Sequence, residues 1–229
     1  MFRVPFFLVC AALAFAPALR AAEPDFKPIF NGRDLTGWDG DPRLWSVRDG
    51  VLRGETSLGA MPLQNTFLIW RGGTVKDFQL KLKVRLHNGN SGVQYRSRDL
   101  GKWVVAGYQA EIENAAGKSG FLYEERGRKF LALVGEKVEI DASGRPHPVG
   151  QLVEKKELLA RAYYKPREWN DYLIVAKGNH LEHFLNGTKI IDLTDNDPKG
   201  RAADGLLALQ IHAGPPMLVE FKDLLFSSQ

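Results

Sequence analysis

Hydrophobic and polar residues alternate with a period of two along much of this chain. In Phe78 to Leu86, Phe78, Leu80, Leu82, Val84 and Leu86 alternate with Gln79, Lys81, Lys83 and Arg85. Side chains at i and i+2 of a strand share a face, so this stretch predicts a half-exposed strand with its lysines in water. Gly92 to Asn114, GVQYRSRDLGKWVVAGYQAEIEN, reads as two strands joined by a tight connection. In its first arm Val93, Tyr95 and Ser97 point one way, and Gln94, Arg96 and Arg98 the other. In its second arm Tyr108, Ala110 and Ile112 share one face, and Gln109, Glu111 and Glu113 the opposite one. If the polar sides of both arms face the same way, one sheet surface gathers amide, guanidinium and carboxylate groups. An ordinary solvated sheet face would show the same alternation.

Turn formers divide the rest into short strands. Asp49-Gly50 lies between Leu44–Val47 and Val51–Leu52 and predicts a hairpin. Thr66–Trp70 reads as a short strand, and residues 135–150 contain several turn formers, including Gly144, Pro146 and Pro148. Glu154–Ala162 is the one convincing helix, stopped before Lys165-Pro166 because proline restricts its predecessor and cannot continue a helix. From Trp169 the β pattern returns, with hairpin turns at Gly178-Asn179 and Asn186-Gly187. Leu206–Ile211 and Met217–Phe226 are the last two strands. Many short strands, regular turns and one short helix predict an all-β, antiparallel β-sandwich.

Composition narrows the setting. MFRVPFFLVCAALAFAPALRAAEP begins with Arg3 and an apolar run, Val4–Ala16, followed by small residues. That pattern predicts a secretory signal peptide over residues 1–22, because the run is too short for a membrane span. Residues 23–229 form the predicted domain, periplasmic or secreted. Cys10, the only cysteine, leaves with the leader, so disulfides, cysteine metal sites and a thiol nucleophile are excluded from the mature chain. Removing Arg3 and Arg20 lowers the formal charge from +4 to +2, with no dense basic cluster, which argues against nucleic acid as a partner. No later apolar run is long enough to cross a bilayer.

Several stretches resemble the 3-keto-disaccharide hydrolase domain family: FKPIFNGRDLTGW, NSGVQYRS, GYQAEIEN, YKPREWNDYLIVAKGNHLEHFLNG and ALQIHAGPPMLVEFKDLLF. They lie in order across residues 26–226. The resemblance implies a concanavalin A-like jelly roll and an exported bacterial protein acting on sugars whose 3-hydroxyl has been oxidised to a ketone. It also implies an upstream sugar 3-oxidoreductase in the same pathway. The fold hosts lectins, binding modules and glycosidases alike, so fold alone does not decide activity.

The candidate chemistry centres on GYQAEIEN. Laminarinase-type enzymes of the same fold resemble this chain in setting acids along one strand as Glu-x-Asp-x-Glu, where this chain has Gln109, Glu111 and Glu113. An amide cannot be the nucleophile of a retaining pair, whose carboxylates stand about 5–5.5 Å apart. A 3-keto sugar needs other chemistry. Its ketone acidifies the C2 hydrogen, a base removes it, and the enolate expels the C1 substituent; water addition completes hydrolysis. Glu111, Glu113 and His212 are the candidate proton carriers. Gln94, Arg96, Gln109, Tyr123, Asn170 and Gln210 are the candidate substrate-binding residues. Arg96 is equally placed to pair with Glu111 or Glu113, His183 reads as a core or sheet-edge histidine, and Trp169 as core or a sugar platform. His180, Glu182, His183 and His212 lack tight ligand spacing, so no metal or cofactor is expected. The competing reading is a non-catalytic carbohydrate-binding module.

Overall fold

The alternating segments fold as strands wherever a turn former lets the chain reverse. At Asp49-Gly50 both residues take positive φ, 50° and 76°, as a two-residue hairpin turn requires. The computed structural model describes residues 24–229, so the predicted leader lies outside the described residues. In chain order the first strands are β1 Lys27–Pro28, β2 Trp38–Asp39, β3 Trp45–Arg48, β4 Val51–Glu55, β5 Thr66–Trp70 and β6 Phe78–Asn88. Next come β7 Asn90–Asp99, β8 Val105–Glu113, β9 Leu122–Glu125, β10 Lys129–Ala132, β11 Glu136–Ile140 and β12 Pro146–Gln151. After the helix α1, Lys155–Ala160, follow β13 Asn170–Lys177, β14 His180–Leu185, β15 Thr188–Asp195, β16 Leu206–Ile211 and β17 Leu218–Ser228.

The strands form two sheets. One is ten-stranded, in the order β12-β11-β15-β14-β13-β6-β17-β4-β3 with β1 beside β17; the other is seven-stranded, β10-β9-β8-β7-β16-β5-β2. All pairings are antiparallel except β11 with β15, which is parallel. The region around 135–150, in which the sequence shows only turn formers, supplies β11 and β12 at the edge of the larger sheet. β12 is exposed along its whole length, so no burial pattern marks it in the sequence.

The inner faces of both sheets make one core. Leu80, Leu82 and Val84 of β6, and Tyr172, Ile174 and Ala176 of β13, face Tyr95 of β7 and Tyr108, Ala110 and Ile112 of β8. Fully burying such side chains is worth roughly 1.5–3 kcal/mol each. Because neighbours alternate, Gln94, Gln109, Glu111 and Gln210 must face outward from the seven-stranded sheet. Phe67, Ile69, Val105 and Ala208 form a second, smaller apolar cluster separate from the core. Among the described residues no helix is long and apolar enough to cross a membrane.

Candidate functional site

The site is built by register. Gln109 of β8 lies opposite Gln94 of β7 on one side and Tyr123 of β9 on the other. Gln94 lies opposite Ala208 of β16, which lies opposite Ile69 of β5. One outward position along, Glu111 opposes Gly92, and Gln210 opposes Phe67. Gly92 is what lets these residues meet across the strand between them. A Cβ there would fall 2.6 Å from Gln109 Cγ, so the glutamine side chain runs over the glycine towards β16.

The result is a chain of hydrogen bonds across three strands. Ser97 Oγ donates to Gln94 Oε1 at 2.6 Å, and Gln94 Nε2 donates to Gln109 Oε1 at 2.8 Å. Gln210 Nε2 donates to the same Gln109 Oε1 at 3.0 Å, while Gln109 Nε2 donates to Glu111 Oε2 at 2.8 Å. Asn90 Nδ2 donates to the other Glu111 oxygen. Although on the outward face, these side chains are sequestered: Gln94 and Gln210 are 0% exposed, Gln109 2% and Glu111 4%. Burial disfavours the charged carboxylate and pushes the pKa of Glu111 up to about 7, against the lowering effect of the Gln109 and Asn90 hydrogen bonds; Glu113 and Glu125 add to the rise.

An amide has two N–H groups and one oxygen with two lone pairs. Gln94 and Gln210 each spend one amide N–H within the chain and have a second that makes no hydrogen bond among the described residues. Asn90 Oδ1 is buried and has no hydrogen-bond partner among the described residues. A group of this kind is costly unless something binds it. The arrangement therefore gathers on a single face a carboxyl group with a near-neutral pKa, and two amide N–H groups and one amide oxygen without partners among the described residues.

Of the predicted residues, Gln94, Gln109, Glu111 and Gln210 are brought together, with Tyr123 beside Gln109. Glu113 lies on the same face one step further, opposite Asn90. His212 follows the end of β16, exposed, and its backbone N–H donates to Met217 Sδ at 3.2 Å. Among the described residues neither the Glu113 carboxylate nor the His212 ring has a hydrogen bond tying it to the amide chain.

Two residues are elsewhere. The register of β7 against β8 shifts between Tyr95 and Arg98, and Arg96 has φ 48°. This bulge turns Arg96 away from the face it would share with Gln94. Its guanidinium is buried and donates to Lys76 O at 2.8 Å, Gly178 O at 2.7 Å and Asp77 Oδ1 at 3.1 Å. It pairs with neither Glu111 nor Glu113. Asn170 begins β13 in the other sheet and closes a loop. Its Oδ1 accepts from Lys165 N and Asn186 Nδ2, and its Nδ2 donates to Lys165 O and Glu168 O. It is a structural residue.

His183 is a core histidine, bonded to Tyr95 Oη at 3.0 Å and Gly120 O at 3.2 Å, and burial drops its pKa to about 4. Trp169 lies on the ten-stranded sheet, half-buried, between Arg85 and Lys222. His180, Glu182 and Asp192 bring ligating atoms within 4.8 Å of one another, but the Lys189 ammonium already bonds both carboxylates. His183 and His212 are not part of that group. A groove of about 770 Å³ on the ten-stranded sheet is lined by Lys81, Lys83, Asp171, Phe184 and Leu225. There Lys83 is paired with Asp171 and Lys81 sits over Phe26, so its cations are already occupied.

Sequence reading missed Asn90, Glu125 and Asn65. Asn90 lies inside the NSGVQYRS stretch, just outside the alternating segment, and Glu125 ends β9 in a stretch rich in glycine and charge that shows no clear alternation. Asn65 carries no local signal, since its contacts reach 60 and 148 residues along the chain.

The two sheets define a β-sandwich whose smaller sheet carries a sequestered amide–carboxylate face. The chain belongs to the 3-keto-alpha-glucoside-1,2-lyase-like domain family, whose model matches residues 25–226. Among solved structures it is similar to a candidate glycosyl hydrolase from Parabacteroides distasonis, with 18% identity and a TM-score of 0.59, over 90% of this chain and 100% of that one. It is also similar to a carbohydrate-binding module from Bacillus subtilis, with 14% identity and a TM-score of 0.53, over 84% and 96%. A Bacillus subtilis protein with a galectin-like fold matches with 10% identity and a TM-score of 0.57, over 85% and 90%. At these identities the likeness establishes the jelly-roll fold. No curated protein matches the chain.

Proposed function

We propose that this protein cleaves the glycosidic bond of 3-keto-glycosides by elimination followed by hydration. The observation that carries the reading is Glu111, a carboxyl group sequestered in hydrogen bonds with neutral amides, its pKa pushed up to about 7 by burial. Gln109 stands where a retaining glycosidase would need its nucleophile, which disfavours direct displacement at C1. A base that is half ionised near neutrality suits removal of the acidified C2 proton.

In the proposed sequence Glu111 takes the proton from C2, and the C2–H electron pair forms an enolate whose negative charge sits on the C3 oxygen. The free N–H groups of Gln94 and Gln210 stabilise that oxygen and orient the neighbouring hydroxyls. The enolate then restores the C3 carbonyl, forms the C1=C2 bond and expels the C1 substituent, whose oxygen takes a proton from a second proton carrier and leaves as an alcohol; the added water later returns that proton to the carrier. Water adds at C1, and C2 regains a proton, giving the free 3-keto sugar. The net change is hydrolysis, with no oxidant or reductant. Glu113 and His212, one outward step beyond Glu111 and Gln210, are the second proton carriers that the sequence alone puts forward. The substrate has to be supplied by an oxidoreductase that oxidises the sugar 3-hydroxyl. Export through the predicted leader, to the periplasm or beyond, belongs to the same proposal.

The test is to incubate the protein with a chromogenic 3-keto-glucoside and, in parallel, the unoxidised glucoside. Release from the keto sugar alone is the expected result. Release from both would restore a conventional glycosidase. Release from neither, with sugar binding retained, would leave the carbohydrate-binding reading.

A further inference from the structure

The amide–carboxylate chain does not lie on an open sheet. In the seven-stranded sheet β5 and β9 are separated by β16, β7 and β8, the strands that carry Gln210, Gln94, Gln109 and Glu111. Yet Asn65, the residue before β5, places its Nδ2 3.3 and 3.4 Å from the two carboxylate oxygens of Glu125 on β9. Beside it, Arg126 Nη2 donates to Gln64 Oε1 at 2.6 Å. From the β7–β8 connection, Trp103 O accepts from Phe67 N at 2.9 Å. Contacts between strands on either side of three others have to pass over one face of those three. Tyr123 and Glu125 alternate with core-facing Leu122, so the face crossed is the outward one. A twisted sheet permits this, because its diagonal corners curl towards each other over one face.

Asn65 is fixed in turn, since its Oδ1 accepts from Ala213 N at 3.0 Å, next to His212. Glu125 is thus an acid fixed above the site on the wall facing the sheet, whereas Glu113 shares a strand with Glu111. Its charge reaches the centre: burial raises the Tyr123 pKa, and Glu125 and then Glu111 add to the effect.

We propose that Glu125 is the second proton carrier of the site, protonating the departing C1 oxygen while Glu111 takes the C2 proton, and that Asn65 is its positioning residue. The inference rests on the elimination reading above. The C2–H bond breaks and its proton goes to Glu111. As the C1–O bond breaks, its electron pair goes to the leaving oxygen, which takes the Glu125 proton. In the return half water attacks C1 and gives a proton to Glu125, and Glu111 returns its proton to C2, so both carboxyls are reset. A base from the sheet and an acid from the bridge approach neighbouring carbons from different sides, which two acids on one strand cannot do.

The experiment separates proton removal from bond cleavage. Glu125→Gln keeps the size and the acceptor for Asn65 but has no acidic proton. Methyl 3-keto-glucoside, a poor leaving group, and 4-nitrophenyl 3-keto-glucoside, a good one, are each incubated in D2O. Exchange at C2 and release of the aglycone are then followed separately. For the variant, methyl release is expected to fall roughly 10²–10³-fold, as loss of a general acid implies. Nitrophenyl release should fall less than about tenfold, with C2 exchange retained. Asn65→Ala is expected to show the same leaving-group dependence, more weakly. Equal losses on both substrates together with loss of exchange would overturn the proposal and make Glu125 structural or the base itself. Unchanged release of both would make it a bystander. A wild-type protein that neither exchanges nor cleaves would instead remove the elimination reading on which the proposal stands.

Discussion

At the scale of one residue, Glu111 sets a conflict between stability and chemistry. Its pKa rises from 4.5 to about 7 because burial penalises the ionised form. In the unfolded chain the same group ionises near its ordinary value. The unfolded state is therefore the more ionised one between these two values, and native stability is fully present below 4.5 and lost as pH rises to 7. Glu111→Gln removes that slope. The variant is expected to be more stable than the wild type above pH 7, by up to about 3 kcal/mol from the size of the shift. Denaturant midpoints at pH 5 and pH 8 check this, and a variant less stable than wild type at pH 8 would contradict it. The same substitution should abolish turnover of 3-keto-glycosides. On the nitrophenyl substrate, whose release needs little help from an acid, wild-type kcat/KM should rise with pH through about 7, since the base must be ionised. Stability given up at a reacting group is a common trade in enzymes.

At the scale of the element, β7 shows what alternation can and cannot reveal. Its first half obeys the period of two, so the alternation in the sequence already sets Gln94 on the face of Gln109 and Glu111. The same logic located Gln210 on β16, and β5 and β16 matched their predicted bounds. Past Tyr95 the bulge adds a residue and the face assignment fails, so Arg96 leaves the site. Nothing in the composition of NSGVQYRS marks that bulge, because positive φ at a non-glycine residue is enforced by tertiary contacts rather than by local preference. Asn170 failed for a related reason, since an amide before a strand serves loop closure as readily as binding. Glu125 and Asn65 were invisible because the bridge joins distant segments. The Arg96 assignment has a consequence of its own. Its buried guanidinium bonds Lys76 O, Gly178 O and Asp77, and the shorter, single-headed lysine cannot serve all three. Arg96→Met is expected to cost roughly 3–5 kcal/mol and Arg96→Lys about half of that, read from urea unfolding. Folded Arg96→Lys should retain most of its activity, whereas an arginine acting on the substrate would lose it.

At the scale of the whole molecule, buried polar links run through the apolar core and fix how the two sheets sit on each other. Hydrophobic burial holds the sheets together without setting their relative position, because it is non-directional. Direction comes from Arg96 reaching Gly178 at the β13–β14 turn, from Tyr95 bonded to His183, and from the cluster around Asp195. Asp195 ends β15 of the larger sheet and is fully buried. It accepts from Tyr108 Oη at 2.5 Å and from Arg128 Nη2 at 2.6 Å, both attached to the smaller sheet. Arg128 is held at the same time by Glu124, through Nε at 2.7 Å. Because Arg128 follows directly on the β9–β10 turn that carries Arg126, this cluster also anchors the far end of the bridge over the site. Asp195→Ala leaves a buried phenol and part of a buried guanidinium without an acceptor, so a loss of roughly 3–5 kcal/mol is expected. Asp195→Asn, which keeps one acceptor oxygen, should lose less. Buried pairs are screened little by salt, so the difference between the two variants should persist between low and high ionic strength in urea unfolding. If Asp195→Ala unfolds at the wild-type midpoint, the Asp195 cluster does not help to position the sheets, and the bridge owes its place to Asn65 and Gln64 instead.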